Sequence, residues 1–238
     1  MPLLETRALS KRYGDTVALE QLDLAVHPGE VVCLLGANGA GKTTTLNLLL
    51  GFLAPTSGEA RVAGRVVHED PRAARSALGY LPEVVQLYPL LSGIETLRYF
   101  NDLAGGARVP ANALHDTLST VGLQRDAHDR RVGLYSKGMR QKLGLAIALS
   151  KGAQTLLLDE PLSGLDPKAA NELVALVRGL ADERRAVLAV THDIFRAQQM
   201  ADRIGIMREG RLVETVDPRA MSAAEIEELY VHHLRDAA

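Results

Sequence analysis

Apolar and polar residues alternate along Leu3 to Leu9 and again along Thr16 to Val26. That is the period of a strand with one buried face, and it predicts two antiparallel strands. Pro28-Gly29 then turns the chain into Glu30 to Leu35, EVVCLL, whose unbroken apolar run predicts a fully buried strand. A glycine-rich loop follows, and Thr43 to Leu50 reads as a helix stopped by Gly51 and Pro55. From Val84 to about Ser150 the spacing turns helical, with Ile94, Leu97, Phe100 and Leu103, then Leu114, Leu118 and Val121, then Leu143 and Ile147. The small residues Ala104-Gly105-Gly106-Ala107 predict a loop between helices there. Beyond it come a buried strand at Thr155 to Leu158, a helix across Ala169 to Leu180, a strand at Ala186 to Val190, and a hairpin around Glu209-Gly210. Ser222 and Glu225 have the spacing of a capping box for a last helix ending near His232-His233. Those histidines read as a frayed helix end, since no third ligand for a metal is evident. The outline is an α/β core interrupted by a helical insertion.

Composition narrows the class. The chain has 238 residues, 47% hydrophobic and 24% charged, enough for a sizeable core in one domain or one with a large insertion. A formal net charge of −2 gives no electrostatic case for nucleic acid, whose binders carry a basic excess or stripe. The single cysteine, Cys33, lies inside the apolar run and reads as a small buried strand residue. No stretch approaches the roughly 18 apolar residues of a spanning helix, and Met1 to Ser10 lacks the apolar region of a signal peptide. A cytoplasmic protein is the expectation.

Candidate chemistry begins with Gly36-Ala-Asn38-Gly39-Ala-Gly41-Lys42-Thr43, followed by Thr44, which satisfies G-x-x-x-x-G-K-[ST] between a predicted strand and a predicted helix. Glycines let successive backbone N–H groups converge on phosphates, the helix start adds positive potential, Lys42 reaches the β- and γ-phosphates, and the Thr43 hydroxyl suits Mg²⁺. Downstream, Thr155-Leu-Leu-Leu-Asp159-Glu160-Pro161 puts two acids at the carboxyl end of a buried strand, where open α/β sheets bind ligands. Asp159 suits a Mg²⁺ role and Glu160 suits polarising an attacking water, although such a pair by itself could equally cap a helix. Tyr135-Ser136-Lys137-Gly138-Met139 lies 23 residues before the acidic pair, counted from Ser136 to Asp159, and opens an apolar helix. By itself it could be a plain capped helix start.

Together these segments resemble the ATP-binding-cassette (ABC) family, and the resemblance runs from Leu3 to about Val216. It implies a P-loop, RecA-like core with an N-terminal antiparallel β subdomain, at 1–82 and 153–238, and an inserted α-helical subdomain at 83–152, in one nucleotide-binding domain. It implies ATP and Mg²⁺ as cofactors, with phosphates held by Gly36, Asn38, Gly39, Gly41, Lys42, Thr43 and Thr44. Tyr13 matches the aromatic that stacks on adenine, Ser163-Gly164-Leu165-Asp166 matches the D-loop, and His192 matches the switch histidine. Ser136 and Gly138 match the signature that meets the ATP of the opposite subunit. Taken singly, Tyr13 would be a surface tyrosine and His192 a core or capping histidine. The implied catalytic set is Glu160, His192 and Lys42, and the implied metal set is Thr43, Asp159 and Glu83.

Glu83 stands where the family has a glutamine, and Lys137 and Met139 stand where glycine and glutamine are commoner in the signature. The first adds negative charge beside Glu160, and the last cannot hydrogen-bond strongly. The implied assembly is a homodimer with ATP at its interface on integral membrane permease subunits, at the inner face of the cell membrane, with no nucleic acid. "GYLPE", "YPLLSGIETLRYF" and "YSKGMRQKLGLAIAL" are most similar to the branch that serves nitrous-oxide reductase maturation, whose members carry a further C-terminal segment beyond the position of Ala238. Cassette ATPases outside transport form the alternative. DNA-repair members carry long coiled-coil insertions and translation members two cassettes, which leaves iron–sulfur cluster assembly. A non-hydrolytic clamp is disfavoured by the intact Glu160. Cargo and direction are not written in the ATPase chain.

Overall fold

The computed structural model of the chain describes residues 1–105 and 109–235, so Gly106 and Ala107 of the predicted loop lie outside the described residues. The alternating N-terminal segments form β1 (Leu4–Tyr13) and β2 (Thr16–Val26), paired antiparallel as a hairpin. The apolar run forms β3 (Val31–Leu35), and the glycine-rich loop leads into α1 (Lys42–Leu49). Next come β4 (Ser57–Val62), β5 (Arg65–Val66), α2 (Pro71–Ser76) and β6 (Leu78–Leu81). The helical stretch comprises α3 (Gly93–Leu103), α4 (Ala111–Thr120), α5 (Arg125–His128), a 3₁₀ turn at Val132–Leu134 and α6 (Lys137–Ser150). The chain continues through β7 (Thr155–Asp159), α7 (Pro167–Asp182), β8 (Ala186–Thr191), α8 (Ile194–Met200), β9 (Arg203–Arg208), β10 (Arg211–Val216) and α9 (Ala223–Arg235).

One sheet has the order β2-β1-β4-β5 and is antiparallel. The other has the order β10-β9-β3-β8-β7-β6, parallel except for the hairpin strand β10 at its edge. Because successive strand residues point to opposite faces, β3 feeds two separate cores. Val31, Cys33 and Leu35 join the core shared with α3, α4, α6 and α7, while Val32 and Leu34 join the one between the sheets, where α1 contributes Leu46, Leu48 and Leu49. Burial on both faces explains why β3 carries no polar residue at all. Burial pushes the Cys33 thiol up to about 12, so this cysteine is packing, as its context predicts.

Four features depart from the sequence expectations. The segment from Ser57 to Leu81, in which periodicity marks no element, holds three strands and a helix. There β4 pairs with β1 around a bulge: Ala8 has φ 43°, Gly58 has φ 72°, and a Cβ on Gly58 would lie 2.1 Å from the Ala8 carbonyl oxygen. A bulge breaks the period of two on which strand recognition rests. In α3, Ile94 and Leu97 are buried, but Leu103 is 68% exposed, so the apolar stripe gives out before the last turn. A short α8, capped by Asp193, follows β8 where no helix was expected. The histidines at the chain's end are not frayed: His233 Nε2 lies 2.8 Å from Glu214 Oε2 on β10, and Arg208 hydrogen-bonds the His233 carbonyl. The capping box of α9 forms as expected, with Ser222 N donating to Glu225 Oε2 at 2.7 Å and Glu225 N donating to Ser222 Oγ at 3.3 Å.

Candidate functional site

The loop after β3 is shaped by glycines that nothing larger could replace. Gly41 has φ 102°, and a Cβ there would lie 2.9 Å from the Ala18 carbonyl oxygen. A Cβ on Gly36 would lie 2.7 Å from the Met207 carbonyl oxygen. The loop and the start of α1 line a cavity of about 410 Å³ together with Thr16, Val17 and Ala18 of β2, and Asn38, Gly39, Gly41, Lys42, Thr43 and Thr44 all face it. Lys42 is almost fully buried, and its ammonium donates to the carbonyls of Gly36 and, at 3.1 Å, of Ala37. Burial holds its pKa below the ordinary lysine value, opposed by the charges of Glu160 and Asp159. Tyr13, half-exposed, pairs with Thr16 at the β1–β2 turn beside this cavity, with the Lys11 ammonium 5.1 Å from its ring centre.

Asp159 ends β7, and Glu160 is the first residue beyond it. Neither caps a helix, and α7 is capped by Asp166 instead. Glu160 has φ 44°, an uncommon conformation for a residue with a side chain. Its buried carboxylate accepts from Thr191 Oγ1 at 3.0 Å and lies 2.8 Å from His192 Nδ1. His192 is otherwise open to solvent, neither a core nor a capping residue. Tyr80 donates to Asp159 Oδ2 at 3.4 Å. Burial raises the Asp159 pKa above its ordinary value, and the charges of Glu160 and Glu83 add to this against Tyr80 and Lys42. Burial next to Asp159 likewise pushes the Tyr80 hydroxyl up to about 12. The Gly36 N–H donates to the Thr191 carbonyl at 3.3 Å, tying the loop to the strand end that holds Glu160.

Glu83 itself is exposed, and its backbone carbonyl accepts from Gln141 Nε2 at 3.2 Å. Ser136, Gly138 and Asp166 are brought together elsewhere, along a cavity of about 280 Å³ that shares no lining residue with the Lys42 cavity. Within one chain, then, the expected phosphate ligands form two groups. Ser136 Oγ accepts from Met139 N at 3.2 Å and Asp166 Oδ1 from Ala169 N at 2.9 Å, so both side chains also serve as helix caps. Thr191 and Tyr80 are the residues that sequence reasoning missed. Thr191 had one signal, its place at a strand end directly before His192.

The sequence profile of the family described as ABC transporter matches residues 19–163. The chain belongs to the ABC transporter family. The bacitracin transport ATP-binding protein BcrA of Bacillus licheniformis is 35% identical over 215 residues, covering 90% of this chain and 69% of that protein. Nod factor export ATP-binding protein I of Burkholderia orbicola is 36% identical over 223 residues, covering 94% and 73%. A solved structure of the ATP binding subunit of an ABC transporter is 29% identical, covers 97% of this chain and 98% of its own, and superposes with a TM-score of 0.81. The chain is therefore an ATP-binding subunit of an ABC transporter, and its reaction is ATP hydrolysis. The P-loop α/β fold class follows with the same family. Among the described residues no helix is long and apolar enough to cross a membrane, so the span that a transporter needs is not found in them.

A stability test follows from Asp159. A carboxyl whose pKa is raised by folding binds its proton more tightly in the native chain, so stability falls as pH rises from 3.8 through the raised value, and the penalty is complete at neutral pH. Asp159→Asn should raise the melting temperature of nucleotide-free protein at neutral pH by roughly 1–3 °C. The gain should shrink towards about pH 4. Calorimetry showing no gain at neutral pH would contradict the assigned burial cost.

Proposed function

We propose that two copies of the chain bind two ATP molecules head to tail and hydrolyse them by in-line attack of water, driving separate permease subunits in the membrane. The observation that carries this reading is the Glu160 carboxylate, buried, gripped by Thr191 and His192, and set at the strand end beside the Lys42 loop. Glu160 orients the attacking water, with His192 beside it at the γ-phosphate. Lys42 offsets the β/γ-phosphate charge, while the backbone of Asn38, Gly39 and Gly41 and the hydroxyls of Thr43 and Thr44 hold the phosphates, and Gly36, whose N–H is taken by the Thr191 carbonyl, shapes the loop. Tyr13 stacks on adenine. Ser136, Gly138 and Asp166 serve the nucleotide of the other copy, in keeping with their separate cavity.

Mg²⁺ fits the donor set. Thr43, Asp159 and Glu83 offer hard oxygen ligands, and among the described residues no group of three or more His, Cys, Asp or Glu could hold a metal by itself. That suits an ion bound mostly by phosphate and water. When bound, the ion would neutralise charge on the transferred phosphoryl group. The residues around it orient water and phosphate.

The permease reading is supported by the surface after β6. Val85 and Leu87 pack against the core, whereas Val84, Tyr88 and Leu90 project outwards, 64%, 52% and 75% exposed. Next to them lies a groove of about 540 Å³ lined by Glu83, Val84, Leu87, Lys137 and Gln141. A groove that begins at Glu83, with exposed apolar residues along the segment that forms one side and Lys137, Arg140 and Gln141 on the other, suits a helix from the permease, held at the inner face of the membrane, with nucleotide state passed through a shift of this loop. For cargo, we assign the chain to the NosF-type branch that delivers copper or sulfur for nitrous-oxide reductase maturation, on the wording of its "GYLPE" and "YSKGM" segments.

Each part has its own test. Glu160→Gln should bind ATP, lose turnover by at least about a hundredfold, and accumulate as an ATP-dependent dimer on gel filtration, while Lys42→Ala should lose nucleotide binding. Full turnover in Glu160→Gln would refute the assignment of Glu160. Tyr88→Glu should abolish co-purification with the permease yet leave the ATPase rate of the free subunit within about twofold, because it puts a charge into an apolar contact. Retained co-purification and transport would remove this surface from the interface. Deleting the gene should leave nitrous-oxide reductase deficient in copper, and a strain with fully metallated reductase would end the cargo assignment.

A further inference from the structure

The cavity beside Ser136 holds a cation that the reading above does not use. Arg130, just after α5, reaches over the start of α6: its Nη2 donates to the thioether of Met139 at 3.4 Å, and its guanidinium carbon lies 5.8 Å from the ring centre of Tyr135. Neither contact neutralises it, and among the described residues no carboxylate lies within ion-pairing distance. The other groups on this wall are spoken for. Lys142 pairs with Glu172 at 2.7 Å, and the side chains of Ser136 and Asp166 cap their helices. With Lys142 set against Glu172 and Lys168 against Asp166, Arg130 leaves the cavity lining with one surplus positive charge.

The platform under Arg130 is rigid. The Tyr135 ring is buried, its hydroxyl donates to the Ala127 carbonyl at 2.6 Å, and it fits only because residue 93 is glycine, where a Cβ would lie 2.2 Å from that hydroxyl. Met139, whose thioether is a weak acceptor, thus holds an exposed guanidinium on the same face as Ser136. A guanidinium kept in place without a counter-ion suits phosphate and ribose oxygens.

We propose that Arg130 binds the ribose–phosphate part of the ATP held by a second copy of the chain, making the contact that Met139 itself cannot make. This rests on the head-to-tail dimer proposed above, in which Ser136 meets that nucleotide. Met139 is then a positioning residue for Arg130.

The test uses the full chain carrying Glu160→Gln, with ATP and Mg²⁺, and reads the ATP concentration at half-maximal dimer by light scattering. Adding Arg130→Ala should raise that concentration about tenfold, and Arg130→Glu should raise it further, as expected for a lost and then a reversed charge contact. Binding of a fluorescent ATP analogue to dilute monomer should be the same in all three proteins. An unchanged half-maximal concentration in Arg130→Ala overturns the role of Arg130 while the dimer stands. So does an equal effect of alanine and glutamate, or a matching loss of monomer affinity. If the Glu160→Gln parent never dimerises with ATP, the dimer reading fails and this proposal falls with it.

Discussion

Close approach of backbone to backbone at the loop between β3 and α1 is the constraint on which the rest of the molecule depends. Gly36 lies against the Met207 carbonyl of β9, and Gly41 against the Ala18 carbonyl of β2. The same junction is stitched by hydrogen bonds, from Glu20 N to the Gly210 carbonyl at 2.7 Å and from Gly210 N to the Ala40 carbonyl at 3.1 Å. One loop thus joins the antiparallel sheet to the parallel one. A side chain at Gly41 would push the sheets apart and one at Gly36 would push the loop off β9, and either would spoil the phosphate cradle, so packing and nucleotide binding act on the same two positions.

A second tension sits at the ends of β7 and β8. Asp159, Glu160 and Lys42 are drawn together in a partly buried site, and Asp159 and Lys42 each have their charged form disfavoured by burial. Glu160 is held in an uncommon backbone conformation besides. Nothing in the core asks for this cluster, since apolar residues there would pack at lower cost. Its residues suit a charged ligand instead, which is how an acidic strand end in a stable sheet is best understood.

Much of this was legible in the sequence, for reasons that can be stated. β3 is a buried run without polar residues, β7 and β8 carry polar residues only at their ends, and each of the three leads into a chemical group, so composition marked strand and site together. The glycine spacing at Gly36 to Gly41 is demanding enough to specify a conformation. What escaped was set by tertiary contact. The bulge at Ala8 and Gly58 hides β4, because pairing with β1 supplies what local pattern lacks. Thr191 and Tyr80 act through neighbours far away in sequence, on strands whose order no local window reveals. Arg130 was invisible for the same reason, since only the fold lays its guanidinium on Met139.

The buried Cys33 has a practical consequence. It is the only cysteine in the chain, it is fully enclosed at the centre of the parallel sheet, and its thiol is pushed up to about 12. Reaction with maleimides or disulfide reagents needs an accessible thiolate, so the native protein is in effect a silent background for thiol chemistry. A spectroscopic label can be attached at any engineered surface cysteine without first mutating the native one. Conversely, labelling of Cys33 itself becomes a clock for the opening of the central sheet, reporting rare excursions of the native state under non-denaturing conditions.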